Sequence, residues 1–264
     1  ELLHRTARGV RTTPAGEALR REASAILQQM ERLPTLVRSA GGEVEGIVAL
    51  GMSSTLATSI AGPFMEALRT SFPKVKLRLI TGDSILLKTR IDAGKLDLAV
   101  VFEDEPTPGY ARRALFRQRL YLVRRAPLDD GAAAVTMARL GELPLVLPAQ
   151  PNVTRILLDR VFAAAGVEPN MVGEADILMS MLSAVQTGMG DTIIPKGSLE
   201  DVPGYAALLA LPIEPPVHLT AAVLSSSQAP PGRAASLVRD LFADFVRDAM
   251  RAAPPAGAEW IGGE

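Results

Sequence analysis

The chain alternates between short apolar runs and longer stretches whose apolar positions recur every three or four residues. Runs of strand length predict strands, and the helical period predicts helices with one buried face. The repeated order of strand, helix and strand predicts a parallel sheet with right-handed crossovers. In the first half the predicted strands are GIVALGM (46–52), KVKLRLITG and LDLAVVF, and the predicted helices between them are TLATSIAGPFMEALRTSF and SILLKTRIDAG. We expect Gly62-Pro63 to disturb the first turns of the first of these helices.

A second series of the same kind follows, and it predicts a second lobe. The run ARRALFRQRLYLVRR is compatible with two strands or with one bent strand. A long amphipathic helix, GRAASLVRDLFADFVRDAM, comes near the end, and we expect the tail 253–264 to be disordered. The remaining predicted elements are the strands LPLVLP, MVGEA, DTIIP and VHLTAAVLS, and the helices NVTRILLDRVFAAAG, stopped by Gly166, and ILMSMLSAVQTG, ended by Gly188.

The front of the chain predicts a helix with an apolar seam. Thr13 followed by Pro14 is typical of a helix start, because the hydroxyl can cap the helix and the missing N–H of proline is not needed there. The seam either packs on the protein's own body or pairs with another helix. Pro34 ends or kinks the helix, and Gly41-Gly42 predicts a flexible joint. The seam residues recur at spacings of four and three: Leu19, Ala23, Ile26, Met30 and Leu33.

Composition excludes several classes of function. The chain has no cysteine, so disulfides and cysteine metal sites are excluded, and its two histidines, His4 and His218, lie too far apart to suggest a metal site. The net charge is −1, but residues 1–40 carry seven arginines against four glutamates, a net of +3, which leaves −4 for the rest. No segment has membrane-spanning length and no secretion signal is visible, so we expect a cytoplasmic protein.

Hydroxyl-bearing residues follow the predicted strands where helices begin. Ligands of open α/β sheets bind at the carboxyl ends of strands, and a helix N-terminus attracts anions. We therefore expect a small anionic ligand in a cleft between the two lobes. Helix capping explains the polar residues equally well, and a core role explains the phenylalanine. The candidate ligand-binding residues are Ser53, Ser54, Thr55, Ser84, Phe102, Asn152 and Thr154.

Motifs for catalysis are absent from the sequence. The segment GMSST around Ser53 fails the G-x-S-x-G nucleophile elbow at its last position. Neither a phosphate-binding G-x-x-x-x-G-K loop nor a dinucleotide glycine fingerprint occurs. We expect a protein that is not an enzyme and that needs neither a metal nor a cofactor.

Three motifs in order resemble the LysR-type transcriptional regulators. LLHRTARGVRTTPAGEAL is similar to the end of that family's winged helix-turn-helix and the start of its linker helix. The strand Pro73–Gly82 followed by Leu87–Val101 is also typical of the family. AVQTGMGDTIIP is similar to its glycine signature, with Gly188, Gly190 and Pro195 in place. Asp191 stands where an apolar residue is expected, and it could repel anions or pair with an arginine.

The resemblance implies a fold and a set of partners. It implies two Rossmann-like subdomains of the type 2 periplasmic-binding-protein fold, preceded by an N-terminal linker helix. A small-molecule effector of unknown identity would bind between the subdomains. DNA would bind through a helix-turn-helix that we expect before Glu1, with Arg5, Arg8 and Arg11 as candidate DNA contacts. The chain would pair with itself as a homodimer or homotetramer. The implied segments are a wing remnant (1–13), a linker helix (14–40), subdomain I (44–116 and 217–252), subdomain II (117–216) and the tail (253–264).

Two alternatives stay open beside a ligand-sensing regulator. A solute-binding protein for transport shares the two-lobed architecture, although the basic front RTARGVRTTPAGE argues against it. A hydrolase or deaminase is disfavoured because no convergent acid, base, thiol or metal set is apparent.

Overall fold

The computed structural model describes residues 1–6, 9–20, 22–23, 26–27, 30, 44–129, 131–200, 202, 204–205 and 207–263. The strands are β1 (Leu3–Thr6), β2 (Gly9–Thr12), β3 (Gly46–Ser53), β4 (Val75–Gly82), β5 (Leu98–Glu103), β6 (Tyr110–Arg124), β7 (Val135–Thr136), β8 (Leu145–Leu147), β9 (Met171–Glu174), β10 (Thr192–Pro195), β11 (Leu209–Glu214), β12 (His218–Ser226) and β13 (Ala258–Trp260). The helices are α1 (14–20), α2 (Ser54–Ser71), α3 (Ser84–Asp92), α4 (Met137–Glu142), α5 (Val153–Ala164), α6 (Leu178–Thr187), α7 (Gly197–Glu200) and α8 (Arg233–Ala252).

Lobe I is built on a sheet with the strand order β4-β3-β5-β12-β6, together with α2, α3 and α8. β3 runs parallel to β4 and β5, as the repeated β-α-β pattern predicted. β12 is antiparallel to β5, so the sheet is mixed rather than wholly parallel. The reason is topological, because β12 returns to lobe I only after the chain has passed through lobe II.

The long strand β6 connects the two lobes. Its residues from Tyr110 to Arg119 pair with β12, whereas residues 121–123 pair with both β10 and β11. Of the two possibilities that the sequence left open, the structure therefore has one long strand. The pairing register with β12 shifts between Ala221 and Ala222. β6 thus runs without interruption through the boundary predicted between residues 116 and 117.

Lobe II contains the end of β6, strands β7–β11 and helices α4–α7. β8 pairs in parallel with β9 and is joined to the neighbourhood of β10 by a bridge between Leu145 and Asp191. Gly188 ends α6 with a φ of 78°, a left-handed conformation that favours glycine. A Cβ on Gly190 would lie 2.7 Å from the backbone oxygen of Pro144, so only glycine allows this close approach. The structure therefore explains why glycine stands at both positions of the signature.

Helices α2 and α8 pack together on the sheet of lobe I. The rings of Phe64 and Phe242 meet edge to face, with centroids 4.8 Å apart. The prediction that Gly62-Pro63 would disturb the first turns of α2 is wrong, since the helix runs through Pro63 from Ser54 to Ser71. Buried residues on both sides of the proline, Leu56 and Leu68, hold the helix against the core where one backbone hydrogen bond is missing.

The front of the chain forms a hairpin and the start of a helix. β1 and β2 pair antiparallel, and the Thr13 hydroxyl accepts a hydrogen bond from the Gly16 amide at 2.9 Å, which confirms the predicted cap. The seam side chains Leu19, Ile26 and Met30 are 51%, 56% and 60% exposed, so these three do not pack on the protein's own body. The predicted seam residue Leu33, the joint at Gly41-Gly42 and the predicted DNA contact Arg8 lie outside the described residues.

The expectation of a wholly disordered tail is wrong. β13 (Ala258–Trp260) pairs antiparallel with β6, and the side-chain amide of Gln118 donates to the Ala256 carbonyl at 3.0 Å. Trp260 packs against the main hydrophobic core. A free edge of β6 and one aromatic residue are enough to order a segment whose composition alone suggests disorder.

Candidate functional site

A cleft lies between the two lobes and encloses about 600 Å³ of space, part of it open to solvent. All of the candidate ligand-binding residues named from the sequence line it, so the structure brings them together. From lobe I the lining residues are Ser53, Ser54, Thr55, Gly82, Asp83, Ser84 and Phe102. From lobe II they are Pro148, Asn152, Val153, Thr154, Asp176, Leu178, Met181, Ile193, Ile194 and Pro195.

The first turn of α2 forms the lobe I side of the cleft. Ser53 is the residue before this helix, but its side chain makes no capping hydrogen bond. Ser53 is only 6% exposed, and its buried Oγ has no hydrogen-bond partner among the described residues. Helix capping therefore does not explain this hydroxyl. A buried polar group without a partner is costly, so the site is suited to a partner from outside the chain.

The first turn of α5 faces the cleft from lobe II. The Asn152 side-chain oxygen accepts from the amides of Thr154 at 2.9 Å and Arg155 at 3.4 Å, so capping does explain this residue. Thr154 is partly exposed in the cleft. The start of α5 and the start of α2 thus reach one space from opposite lobes, each with the positive end of its helix dipole.

Three further residues of lobe I line the cleft. Ser84 begins α3 and is buried, while Asp83 caps the same helix by accepting from the Leu86 amide at 2.8 Å. Phe102 was expected either to floor the cleft or to belong to the core, and it does both. It lines the cleft, is 5% exposed and meets Phe116 edge to face at 6.5 Å.

The described residues that line the cleft carry negative charge and no positive charge. Among the described lining residues, the ionisable side chains are Asp83 and Asp176. A nearby guanidinium, that of Arg155, is already engaged by Asp159 at 2.7 Å, Glu174 at 2.6 Å and the Pro148 carbonyl at 3.1 Å. Burial lowers the pKa of Arg155, but its hydrogen bonds to the two carboxylates raise it further, so the net shift is upward.

Comparison with known proteins identifies the family. A family model described as "LysR substrate binding domain" matches residues 41–247. The chain belongs to the LysR family. Nitrogen assimilation regulatory protein nac of Escherichia coli (strain K12) is 30% identical over 205 residues, which cover 77% of this chain and 67% of the relative. The transcriptional regulator BbuR of Bordetella bronchiseptica is 29% identical over 253 residues, which cover 95% and 78% of the two chains.

Solved structures of LysR regulators have the same fold. A full-length OxyR variant from Pseudomonas aeruginosa aligns with a TM-score of 0.73 at 17% identity, over 100% of this chain and 83% of that one. The effector-binding domain of QuiR, described in complex with shikimate, aligns with a TM-score of 0.68 at 17% identity, over 77% and 98%. The predicted two-subdomain, type 2 periplasmic-binding-protein fold is thereby confirmed.

Membership of the LysR family decides between the alternatives left open by the sequence. The curated relatives are transcriptional regulators, so the chain is a LysR-type regulator with an effector-binding domain rather than a transport receptor. These relatives are not enzymes, which agrees with the lack of catalytic motifs. Among the described residues, no group of three or more His, Cys, Asp or Glu could hold a metal ion, and none of the described helices could span a membrane.

Asp191 of the LysR signature pairs with an arginine and does not line the cleft. Its Oδ2 lies 3.4 Å from Nε of Arg124, and both side chains are largely buried. Burial raises the pKa of Asp191, and the charge of Arg124 lowers it by less. Of the two roles that the sequence left open for Asp191, the structure supports the ion pair.

Several lining residues of lobe II were missed in the sequence. Pro148 follows β8, Asp176 precedes α6, and Ile193 and Ile194 belong to β10. A usable signal existed for the last two, because they precede Pro195 of the LysR signature. The same signal as in lobe I was available for Asp176, because it stands between a predicted strand and a predicted helix, but it was overlooked.

Proposed function

We propose that this LysR-type regulator binds a small acidic effector in the cleft between its lobes and that binding changes its control of transcription. One observation carries the proposal. The N-termini of α2 and α5 face a single cleft from opposite lobes, and the Ser53 hydroxyl beside one of them has no partner among the described residues. Free N–H groups and the positive ends of two helix dipoles favour an acidic group. QuiR, a protein of the same fold, is described in complex with shikimate.

A ligand that touches both lobes acts as a switch. It binds the arrangement that brings both helix starts within hydrogen-bonding distance better than any other arrangement. Differential affinity of this kind shifts the population of lobe arrangements toward the bound one. In the full-length regulator that shift would change the spacing of the DNA-binding heads.

We propose self-association through the apolar seam at the front of the chain. Leu19, Ile26 and Met30 are exposed apolar side chains at helical spacing, which is the pattern of a helix that pairs with another helix. A homodimer or homotetramer follows from this pairing. The cytoplasm is the compartment in which such a protein meets DNA.

The proposed DNA contacts lie on the β1–β2 hairpin. Arg5 is opposite Val10 and Arg11 is opposite His4, and both arginines are exposed. Adjacent rungs of a hairpin point to opposite faces, so these two side chains cannot lie against one flat surface together. We therefore expect one of them to contact the DNA backbone while the other faces away from it.

The experiment combines an effector screen with a DNA-binding assay. Small acids are screened by thermal shift, because a ligand that binds the folded state raises Tm. Each hit is then tested for its effect on a gel shift with the full-length regulator and its own promoter. We expect Ser53→Ala to abolish both the thermal shift and the change in the gel shift. A hit whose effects are unchanged in Ser53→Ala and in Thr154→Val would place the effector elsewhere and reject the proposal.

A further inference from the structure

We infer that the effector carries a cationic group, in particular an ammonium, in addition to its acidic group, and that Asp176 and Asp83 bind this cation. The inference rests on the proposed function and deepens it by naming the class of ligand. The ligand class is an amino acid or a compound with the same charge pattern.

The first argument is the state of the two carboxylates. Asp176 is exposed in the cleft and makes no hydrogen bond or ion pair with another described residue. Asp83 uses Oδ1 to cap α3, and among the described residues its other oxygen has no partner. One carboxylate comes from each lobe, as do the two helix starts. Both kinds of group therefore face the ligand from both sides.

The second argument is the lack of a compensating cation in the wall. Lysine and arginine do not occur among the described lining residues. The guanidinium of Arg155, close behind Pro148, is already shared between Asp159 and Glu174. Two helix termini together contribute about one positive charge, which offsets one acidic group of a ligand and leaves the two carboxylates unbalanced. An ammonium on the ligand supplies the missing charge and donates to these oxygens.

The third argument is that the cleft presents both kinds of binding group to one ligand. The buried Ser53 hydroxyl has no partner among the described residues and lies at the start of α2, one of the two helix starts that favour the acidic group. Asp176 lies at the entry to α6, in the other lobe. A zwitterion satisfies both kinds of group at once, whereas a simple anion is favoured by the helix starts and repelled by the carboxylates.

The test compares matched ligands and matched variants. Thermal shift compares the proteinogenic L-amino acids with their deaminated counterparts, which are the 2-hydroxy acids and the simple carboxylic acids. Inorganic phosphate and sulfate are included. Kd values for hits are measured by isothermal titration calorimetry for the unaltered chain and for Asp176→Asn, Asp83→Asn, Ser53→Ala and Glu168→Gln. Glu168 is an exposed acid that does not line the cleft, so it serves as the charge-matched control.

We expect at least one amino acid to raise Tm while its deaminated counterpart does not. Asp176→Asn should raise the Kd for that amino acid by about tenfold or more, which is the effect of losing a charge-assisted hydrogen bond. Asp83→Asn should raise the Kd less, because one oxygen of Asp83 already caps α3 and only the other is available to the ammonium. Glu168→Gln should leave its Kd unchanged.

Two results would overturn the inference. One is that acids without an amine bind as tightly as the amino acids and bind Asp176→Asn no more weakly. The other is that no amino acid shifts Tm. In the first case the proposed function survives, provided that Ser53→Ala still abolishes binding of those acids. Loss of the proposed function has a different signature, namely a ligand whose Kd is unaffected by both Ser53→Ala and Thr154→Val.

Discussion

Arg160 of α5 reaches from lobe II to Asp104, just beyond the end of β5 in lobe I, and its Nη2 lies 2.6 Å from Oδ1 of that aspartate. Nη1 of the same guanidinium lies 2.6 Å from the Glu105 carboxylate. Burial raises the pKa of Asp104 even though Arg160 lowers it. This pair of ion contacts links the two lobes directly, on the helix whose first turn faces the cleft.

Replacing Arg160 with glutamine should loosen the link between the lobes. Because the arginine is about half exposed, its ion pairs are weak and screened by salt. We expect the effector Kd to rise by no more than about fivefold and to become less dependent on salt. The measurement is calorimetric titration at low and high ionic strength. Arg69→Gln, which breaks an exposed pair within α2, is the control, and equal behaviour of the two variants would refute the link.

Ser53 and Asn152 should respond in opposite ways to replacement by alanine. Ser53→Ala removes a buried hydroxyl that has no partner in the described part of the chain, so the free energy of unfolding should stay the same or rise by about 1 kcal/mol, while effector binding weakens. Asn152→Ala removes the cap of α5 and should lower the free energy of unfolding by about 1 kcal/mol. Urea denaturation measures both changes. A loss of stability in Ser53→Ala equal to that in Asn152→Ala would show that the hydroxyl has a structural role.

The sequence located one wall of the cleft better than the other. Ser53, Ser84 and Phe102 stand next to the carboxyl ends of parallel strands, and the β-α-β rule brings such ends to one edge of a sheet. Pro148 and Asp176 follow the parallel strands β8 and β9 in the same way. That they face the lobe I residues depends on how β6 carries lobe II across from lobe I, and that path is set by long-range pairing with β10, β11 and β12.

The chain termini show the same limit. The cap at Thr13 is local chemistry between residues three apart, and it was predicted correctly. The order of Ala258–Trp260 depends on a free edge of β6, more than a hundred residues earlier in the chain. No periodicity within three residues can reveal such a partner, because strand pairing is not encoded locally.

Asp191→Asn should destabilise lobe II. The substitution leaves the largely buried guanidinium of Arg124 without its counter-charge, and the expected loss is about 2 kcal/mol in the free energy of unfolding. Urea denaturation of Asp191→Asn, Arg124→Met and the double variant gives the coupling energy. Coupling means that the double variant loses less than the sum of the two single variants. Strict additivity would show that the two side chains do not interact.

Stability should fall as the pH is lowered through the titration of His218. Burial lowers the pKa of His218, the charges of Arg117 and Arg119 lower it further, and Glu259 raises it by less. The folded pKa therefore lies below the ordinary value of 6.5, so the unfolded chain binds the proton first. The stability contribution is complete above 6.5 and is lost as the pH falls toward the folded pKa.

His218→Asn should remove that part of the pH dependence. Thermal unfolding between about pH 8 and about pH 5 should show a shallower decline in Tm than in the unaltered chain. His4→Asn, on the exposed β1–β2 hairpin, is the control and should leave the slope unchanged. A slope unaffected by His218→Asn would mean that other groups carry the dependence.

Hydrogen exchange at two helix starts tests the role of the cleft most directly. Amide exchange of residues 54–56 in α2 and 153–155 in α5 is measured by mass spectrometry, with and without the compound that gives the largest thermal shift. A ligand held between the lobes slows exchange in both segments together, and Ser53→Ala removes both effects. Protection of one segment alone, or of neither while the compound remains bound, would contradict a ligand that bridges the two lobes.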